Sequence, residues 1–412
     1  MKLLLKNIKE LVQVEDSPVQ KANETRLSTL PFIKNAYIII KDDLIFEYGE
    51  MQNELNDDFN DVIDCTGKIV LPCWCDSHTH IVFAGSRESE FVDRINGLSY
   101  EEIAHRGGGI LNSAKKLHET SEEHLYETAW FRLQEIIKGG TGAVEIKSGY
   151  GLSLEDELKM LRVIKKLKKI APVAIKSTFL GAHALPLEYK NSRQDYVKLI
   201  TDKMLPAIAK DDLADYCDVF CDRGFFTPDE TDIILKRALE FGLKPKIHAN
   251  ELDYSGGIQV GVANNAVSVD HLEFTGDEEI RVLKKSNTIP TLLPSTAFFL
   301  GLHYPPARKM IDAGLPVALA TDYNPGSSPS GNMSFVLSLA CIKMKMTPEE
   351  AINAATINGA AAMELSEMYG SISIGKKANI IITQSIPSIA YIPYSFGTNK
   401  IEKVIINGKI QN

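Results

Sequence analysis

The sequence predicts an α/β protein: a (β/α)8 barrel of the TIM type with a small β-sandwich formed by both chain ends. Three observations predict it. Apolar β-type runs alternate with helical patterns through the middle of the chain, giving eight candidate strands. Both ends carry short alternating segments broken by polar turns instead. Histidines and an aspartate recur just past the central strands. An open, doubly wound sheet ranks lower, because no glycine-rich dinucleotide fingerprint follows the first strand.

The candidate strands lie near 68–76, 142–148, 173–180, 216–222, 245–249, 266–271, 288–293 and 316–321. Helices between them announce their starts. Thr227-Pro228-Asp229-Glu230 is a capping box with proline at the first helical position, and Gly242 is its stop. Thr347-Pro348-Glu349-Glu350 repeats that chemistry, and Ser153 opens a helix with Leu158, Leu161, Ile164 and Leu167 on one side. The barrel is expected over 68–367. Residues 1–67 and 368–412 are expected to pair into the sandwich, with Asn407-Gly408 as a hairpin turn.

The composition, 44% apolar and 24% charged over 412 residues, is that of an ordinary soluble globular protein. The net charge of −9, with no basic stripe interleaved with aromatics, argues against a nucleic-acid partner. It leaves room for an anionic substrate read by a local arginine. No secretory leader is expected, since Lys6, Lys9 and Glu10 interrupt the first apolar run. Asn287 to Ala307 lacks charge, but four prolines make a barrel strand and loop the better reading than a membrane span. Six cysteines are too few for a disulfide framework, which points to a reducing cytoplasm.

Chemistry in such barrels collects at the carboxyl ends of the strands. The first strand ends in Asp76-Ser77-His78-Thr79-His80. Residues two apart on a strand share a face, so both imidazoles converge on one point. The third strand leads to His183, the fifth to His248 and then Glu251, the sixth to His271 and the eighth to Asp322. Five of the nine histidines thus fall at one rim. His105, His118, His124 and His303 lie in helical or loop contexts and are read as ordinary histidines. Two close histidines, a third imidazole and a carboxylate suit zinc, iron(II) or manganese. Cys73 and Cys75 admit a thiolate site or, more simply, small buried hydrophobes.

The pattern of strand-one HxH, strand-five His, strand-six His and strand-eight Asp resembles the amidohydrolase superfamily. Ser86-Arg87-Glu88-Ser89-Glu90-Phe91, Gly107-Gly108-Gly109-Ile110, Glu145 to Leu152, Thr178 to Ala184 and Thr321 to Ser327 narrow the resemblance to the imidazolonepropionase family, over essentially the whole chain. It implies one divalent metal ion, zinc or iron, held by His78, His80, His248 and Asp322. Relatives with two ions bridge them through a carboxylated lysine or a glutamate on strand four. Here Cys217 to Asp222 supplies neither, which leaves Asp222 as the residue to check. The implied substrate is a small anionic heterocycle, 4-imidazolone-5-propanoate, opened to N-formimidoyl-L-glutamate by a metal-activated hydroxide in histidine degradation. Arg87, Tyr150, His183, Glu251, Asn324, Gly326 and Ser327 would bind it. Glu251, His271 and Asp322 would handle protons, and His183 would stabilise the oxyanion. Neither nucleic acid nor membrane is expected as a partner, and the family is compatible with a homodimer. A heterocycle deaminase shares the metal frame but would release ammonia. A barrel without chemistry would show gaps among the ligands, and none is missing.

Overall fold

The first strand is rich in leucine, isoleucine and valine and mostly buried, with its charged residues toward solvent. The computed structural model describes residues 2–17, 19–51, 58–98, 102 and 108–411. Strand β1 (Lys2–Val12) pairs antiparallel with β2 (Phe32–Lys41) and parallel with β4 (Asp61–Asp64). Asn7, at φ 56°, sits at a bulge between Leu5 and Ile8. β3 (Leu44–Glu50) extends the sheet beyond β2.

The apolar run expected as one barrel strand divides in two. β5 (Lys68–Pro72) joins the chain-end sheet beside β1, and only β6 (Trp74–Asp76) enters the barrel. The change of sheet falls after Pro72, which has no N–H to continue a ladder. Cys73 N–H then bonds Asn379 O at 3.0 Å, on the chain-end side, while Trp74 N–H bonds Gly140 O at 2.9 Å, on the barrel side.

From β6 the barrel runs in chain order through β7 (Thr141–Lys147), β8 (Ala174–Ala182), β9 (Tyr216–Cys221), β10 (Lys244–Ala249), β11 (Ser268–His271), β12 (Ile289–Leu292) and β13 (Ala318–Leu319). Neighbouring strands are parallel. The seam between first and last strands is stitched beyond their ends. Asp322 N–H bonds His78 O at 3.0 Å, and His80 N–H bonds Tyr323 O at 2.9 Å. The Asp76 carboxylate accepts both Thr321 N–H at 3.0 Å and the Thr321 hydroxyl at 2.6 Å. The stretch without charge from Asn287 to Ala307 holds β12 and a helix, Pro294–Leu300. Among the described residues, no helix is long and apolar enough to cross a membrane.

β14 (Ile380–Ser385), β15 (Ile401–Ile406) and β16 (Lys409–Gln411) return to the chain-end sheet, whose order is β16-β15-β14-β5-β1-β2-β3 with β4 beside β1. Leu3, Leu5, Ile8, Leu11, Ile38, Ile40, Ile380, Ile382 and Ile405 pack together in one apolar cluster there. The Asn407-Gly408 turn has positive φ at both residues, 47° and 72°, as a primed hairpin turn requires. Both capping boxes form, on helices Pro228–Glu240 and Pro348–Ala355.

Candidate metal and substrate site

Three strand ends leave ordinary backbone geometry where the site begins. Asn250, His271 and Asp322 adopt positive φ of 55°, 82° and 53°, and Leu272 follows at 73°. A left-handed residue costs roughly 1 kcal/mol or more. Here it turns the chain off the strand direction at the carboxyl rim.

His78, His80, His248 and Asp322 meet at one buried point. His78 Nε2 and His80 Nε2 are 3.2 Å apart, and His248 Nε2 is 3.4 Å from His80 Nε2. Asp322 Oδ1 lies 3.4 Å from His78 Nε2 and 3.5 Å from His80 Nε2. His78 donates Nδ1–H to Asp270 at 2.6 Å, so its Nε2 carries a lone pair. Burial, with neighbouring cationic and histidine groups, holds His78 and His80 well below the usual histidine range, so both rings are neutral. Imidazole nitrogens and a carboxylate this close could hold a metal ion, and a divalent cation fits that donor set. His78, His80 and Asp322 form one group with donor atoms within 4.8 Å of each other, and His78, His248 and His271 form another.

A cavity of about 700 Å³ opens onto this cluster and is lined by His80, Arg87, Tyr150, His183, His248, Glu251, His271, Asp322, Asn324, Gly326 and Ser327. Every residue expected to bind substrate therefore lines a single space. Three of them also make contacts within the protein. Arg87 is both ion-paired and cavity-lining: its Nε and Nη2 donate to Glu90 Oε2 at 2.8 and 2.6 Å. Among the described residues no hydrogen bond takes up Arg87 Nη1, which leaves the end-on edge of the guanidinium for a second carboxylate. Gly326 makes room for that edge, since a Cβ there would fall 2.1 Å from Arg87 Nη1. Asn324 is committed to its own turn. Its amide donates to Asp322 O at 2.7 Å and Ser327 Oγ at 2.8 Å, and its carbonyl accepts Gly326 N–H and Ser327 N–H at 2.7 and 2.8 Å.

His183 departs from the expected role. Its Nδ1 lies 2.9 Å from Gly149 O, and a carbonyl only accepts, so Nδ1 carries the proton. Burial and the nearby His248 push its pKa down to about 3, which leaves the ring neutral. Its Nε2 therefore presents a lone pair, suited to accepting a substrate N–H and unable to donate to an oxyanion. Glu251 Oε2 lies 3.7 Å from His271 Nδ1. Burial first, then the charges of Asp322 and Asp222, push Glu251 up to about 8.

Residues 69–411 match the profile of the Amidohydrolase family. The chain belongs to the amidohydrolase family. Among proteins similar to this amidohydrolase is the imidazolonepropionase of Flavobacterium johnsoniae, 61% identical over 99% of each chain. Another is that of Christiangramia forsetii, 60% identical over the full length of both. A solved adenosine deaminase from Xanthomonas campestris with bound zinc shares the fold, with a TM-score of 0.73 at 15% identity, over 99% of this chain and 92% of that one.

Beneath the ligands, the amidohydrolase barrel holds a buried charge network that the sequence reading missed. Lys147 Nζ sits 2.6 Å from Glu145 Oε1, 2.8 Å from Asp218 Oδ2 and 3.5 Å from Asp270 Oδ2, all with fully buried side chains. Lys246 pairs with the other Glu145 oxygen. Asp270 accepts a hydrogen bond from His78 Nδ1, and Asp218 accepts the His248 backbone N–H at 3.0 Å with its other oxygen 3.0 Å from His248 Nδ1, so a carboxylate stands behind each of two expected ligands. The available signal was charge at alternate positions of otherwise apolar strands: Glu145 and Lys147, Lys246 and His248.

Asp222 does not face the metal cluster. It accepts Glu251 N–H and Leu252 N–H at 2.8 Å each, Arg223 N–H at 2.7 Å and the Ser255 hydroxyl, and so fixes the loop that carries Glu251. Cys73 and Cys75 are buried free thiols, and burial pushes Cys75 up to about 12, so the thiolate reading is set aside. His118 and His124 are exposed on helices, and His303 Nε2 donates to Glu273 O at 3.0 Å. His105 and Gly107 lie outside the described residues.

Proposed function

We propose that this amidohydrolase hydrolyses 4-imidazolone-5-propanoate to N-formimidoyl-L-glutamate, with one divalent ion, zinc or iron, at His78, His80, His248 and Asp322. The observation that carries the reading is an anion-reading guanidinium in the same cavity as a hydrolytic ligand cluster. Arg87 is close enough for its charge to act on both Tyr150 and His183. Relatives at 61% and 60% identity with the same name support the choice of substrate.

When bound, the ion supplies a Lewis acid and lowers the pKa of water from roughly 15.7 toward about 7. The side chains do the rest. Arg87 holds the propanoate through its free edge, with Ser327 beside it. Tyr150, kept as a phenol by burial, donates its hydroxyl hydrogen, and His183 Nε2 accepts a ring N–H. As the water oxygen bonds the ring carbonyl carbon, Asp322 takes the one proton released and His271 orients the water. Glu251, protonated near neutrality, returns a proton to the departing ring nitrogen. The carbonyl carbon–nitrogen bond breaks and the chain-opened product leaves.

Incubation with 4-imidazolone-5-propanoate should yield N-formimidoyl-L-glutamate without ammonia, from protein holding about one metal ion per chain. Ammonia release would move the protein to a deaminase. His271→Asn should keep its metal and lose at least about tenfold in turnover; normal turnover removes His271 from the mechanism. Arg87→Ala should raise KM well above any change in kcat, because it removes binding shared by ground and transition states. An unchanged KM would refute the tail-binding role. The reading places the enzyme in the cytoplasm, in keeping with its free cysteines. It needs no nucleic acid or membrane and is neutral between monomer and homodimer.

A further inference from the structure

Just below the cavity, one carboxylate that touches neither the ligand cluster nor the cavity collects a whole loop. Glu157, fully buried on helix Leu154–Ile170, reaches back over the loop that precedes its own helix. Its Oε1 accepts Gly151 N–H at 2.7 Å and Leu152 N–H at 3.0 Å, and its Oε2 accepts Gly149 N–H at 3.2 Å. The Ser148 hydroxyl bonds it as well, while Ser148 Oγ accepts Leu180 N–H at 3.0 Å from β8. Successive backbone N–H groups wrapped around an anion form a nest, here with an internal anion.

The loop is shaped for this contact. Gly149 has φ 110°, and a Cβ there would lie 2.9 Å from His183 Nδ1. A Cβ on Gly151 would fall 2.4 Å from Glu157 N. Leu152 is left-handed at φ 55°. Two cavity groups depend on the shape. Tyr150 is carried by the loop itself, and His183 takes its tautomer from the Gly149 carbonyl.

We propose that Glu157 is a positioning residue: by holding the Gly149–Leu152 backbone it fixes the place of Tyr150 and keeps the proton of His183 on Nδ1, so that Nε2 faces substrate as an acceptor. The substrate-facing half of this inference rests on the function proposed above. The tautomer half does not.

The test uses zinc-loaded, full-length protein labelled with nitrogen-15 histidine, the His183 signals being those absent from His183→Asn. Wild type is expected to show His183 protonated at Nδ1, and protonation at Nε2 alone would overturn the proposal without any variant. Glu157→Gln puts an amide N–H against at least one loop N–H. It is expected to shift the His183 proton away from Nδ1 and to lower kcat/KM on 4-imidazolone-5-propanoate by at least about tenfold. Folded Glu157→Gln with an unchanged His183 tautomer and kcat/KM within about twofold would sink it. If that variant does not fold, Glu157→Asp keeps the charge but shortens the reach, and the same two readouts apply. Should wild type fail to turn over this substrate, the function proposal falls while the tautomer measurement still decides this one.

Discussion

Lys147→Met is expected to cost about 3–5 kcal/mol of stability, because it removes the cation from among Glu145, Asp218 and Asp270 while leaving their carboxyl groups buried. Burial alone works against the lysine's charge, yet Asp218, Glu145 and Asp270 together hold its ammonium above the usual lysine range. His248 and Lys147 outweigh burial in turn and hold Asp218 below the usual carboxylate range. The loss reaches the site as well as the fold, since Asp218 and Asp270 are the carboxylates that stand behind His248 and His78. Metal affinity should fall by about 10- to 100-fold, as expected when the partners behind ligating histidines are disturbed. Urea unfolding and chelator competition measure the two effects. Asp218→Asn added to Lys147→Met should recover part of the stability, because the two changes share one network. A variant with unchanged urea midpoint and unchanged metal affinity would show the network to be inert.

Asp322→Asn is expected to lower turnover on the order of a thousandfold, about 4 kcal/mol of transition-state stabilisation. The amide keeps the shape but loses the charge that completes the donor set, and it cannot take a proton from water. Burial pushes Asp322 up to about 6. Its other oxygen accepts the Thr296 hydroxyl at 2.6 Å, so its rotamer is fixed from outside the cluster. Thr296→Val, which removes only that bond, should cost far less, roughly tenfold. Metal analysis beside steady-state kinetics separates lost binding from lost chemistry. Near-normal turnover in Asp322→Asn would remove this carboxylate from both roles.

The strand order, the capping boxes, the Asn407-Gly408 turn and the rim histidines were legible because each is written in local pattern. A two-residue period, a proline after a threonine or a histidine at a strand end is a property of neighbours in the chain. The division of the first apolar run between two sheets was not legible. β5 and β6 follow one another in a single run with one residue between them, and only the pairing of Leu71 with Ile381 and of Cys75 with Ala143 tells them apart. The orientation of His183 was hidden for a similar reason, since its tautomer depends on a carbonyl 34 residues earlier.

By itself the sequence determined which residue types stand at the carboxyl rim of the barrel, and hence which of them could hold a cation or read an anion. Tertiary structure alone decided what each does. Whether an imidazole donates or accepts, whether an arginine has a free edge, and whether a lysine inside a barrel is stable are matters of which charges and carbonyls lie within a few ångströms. Those neighbours come from strands distant in the chain, brought together only when the barrel closes.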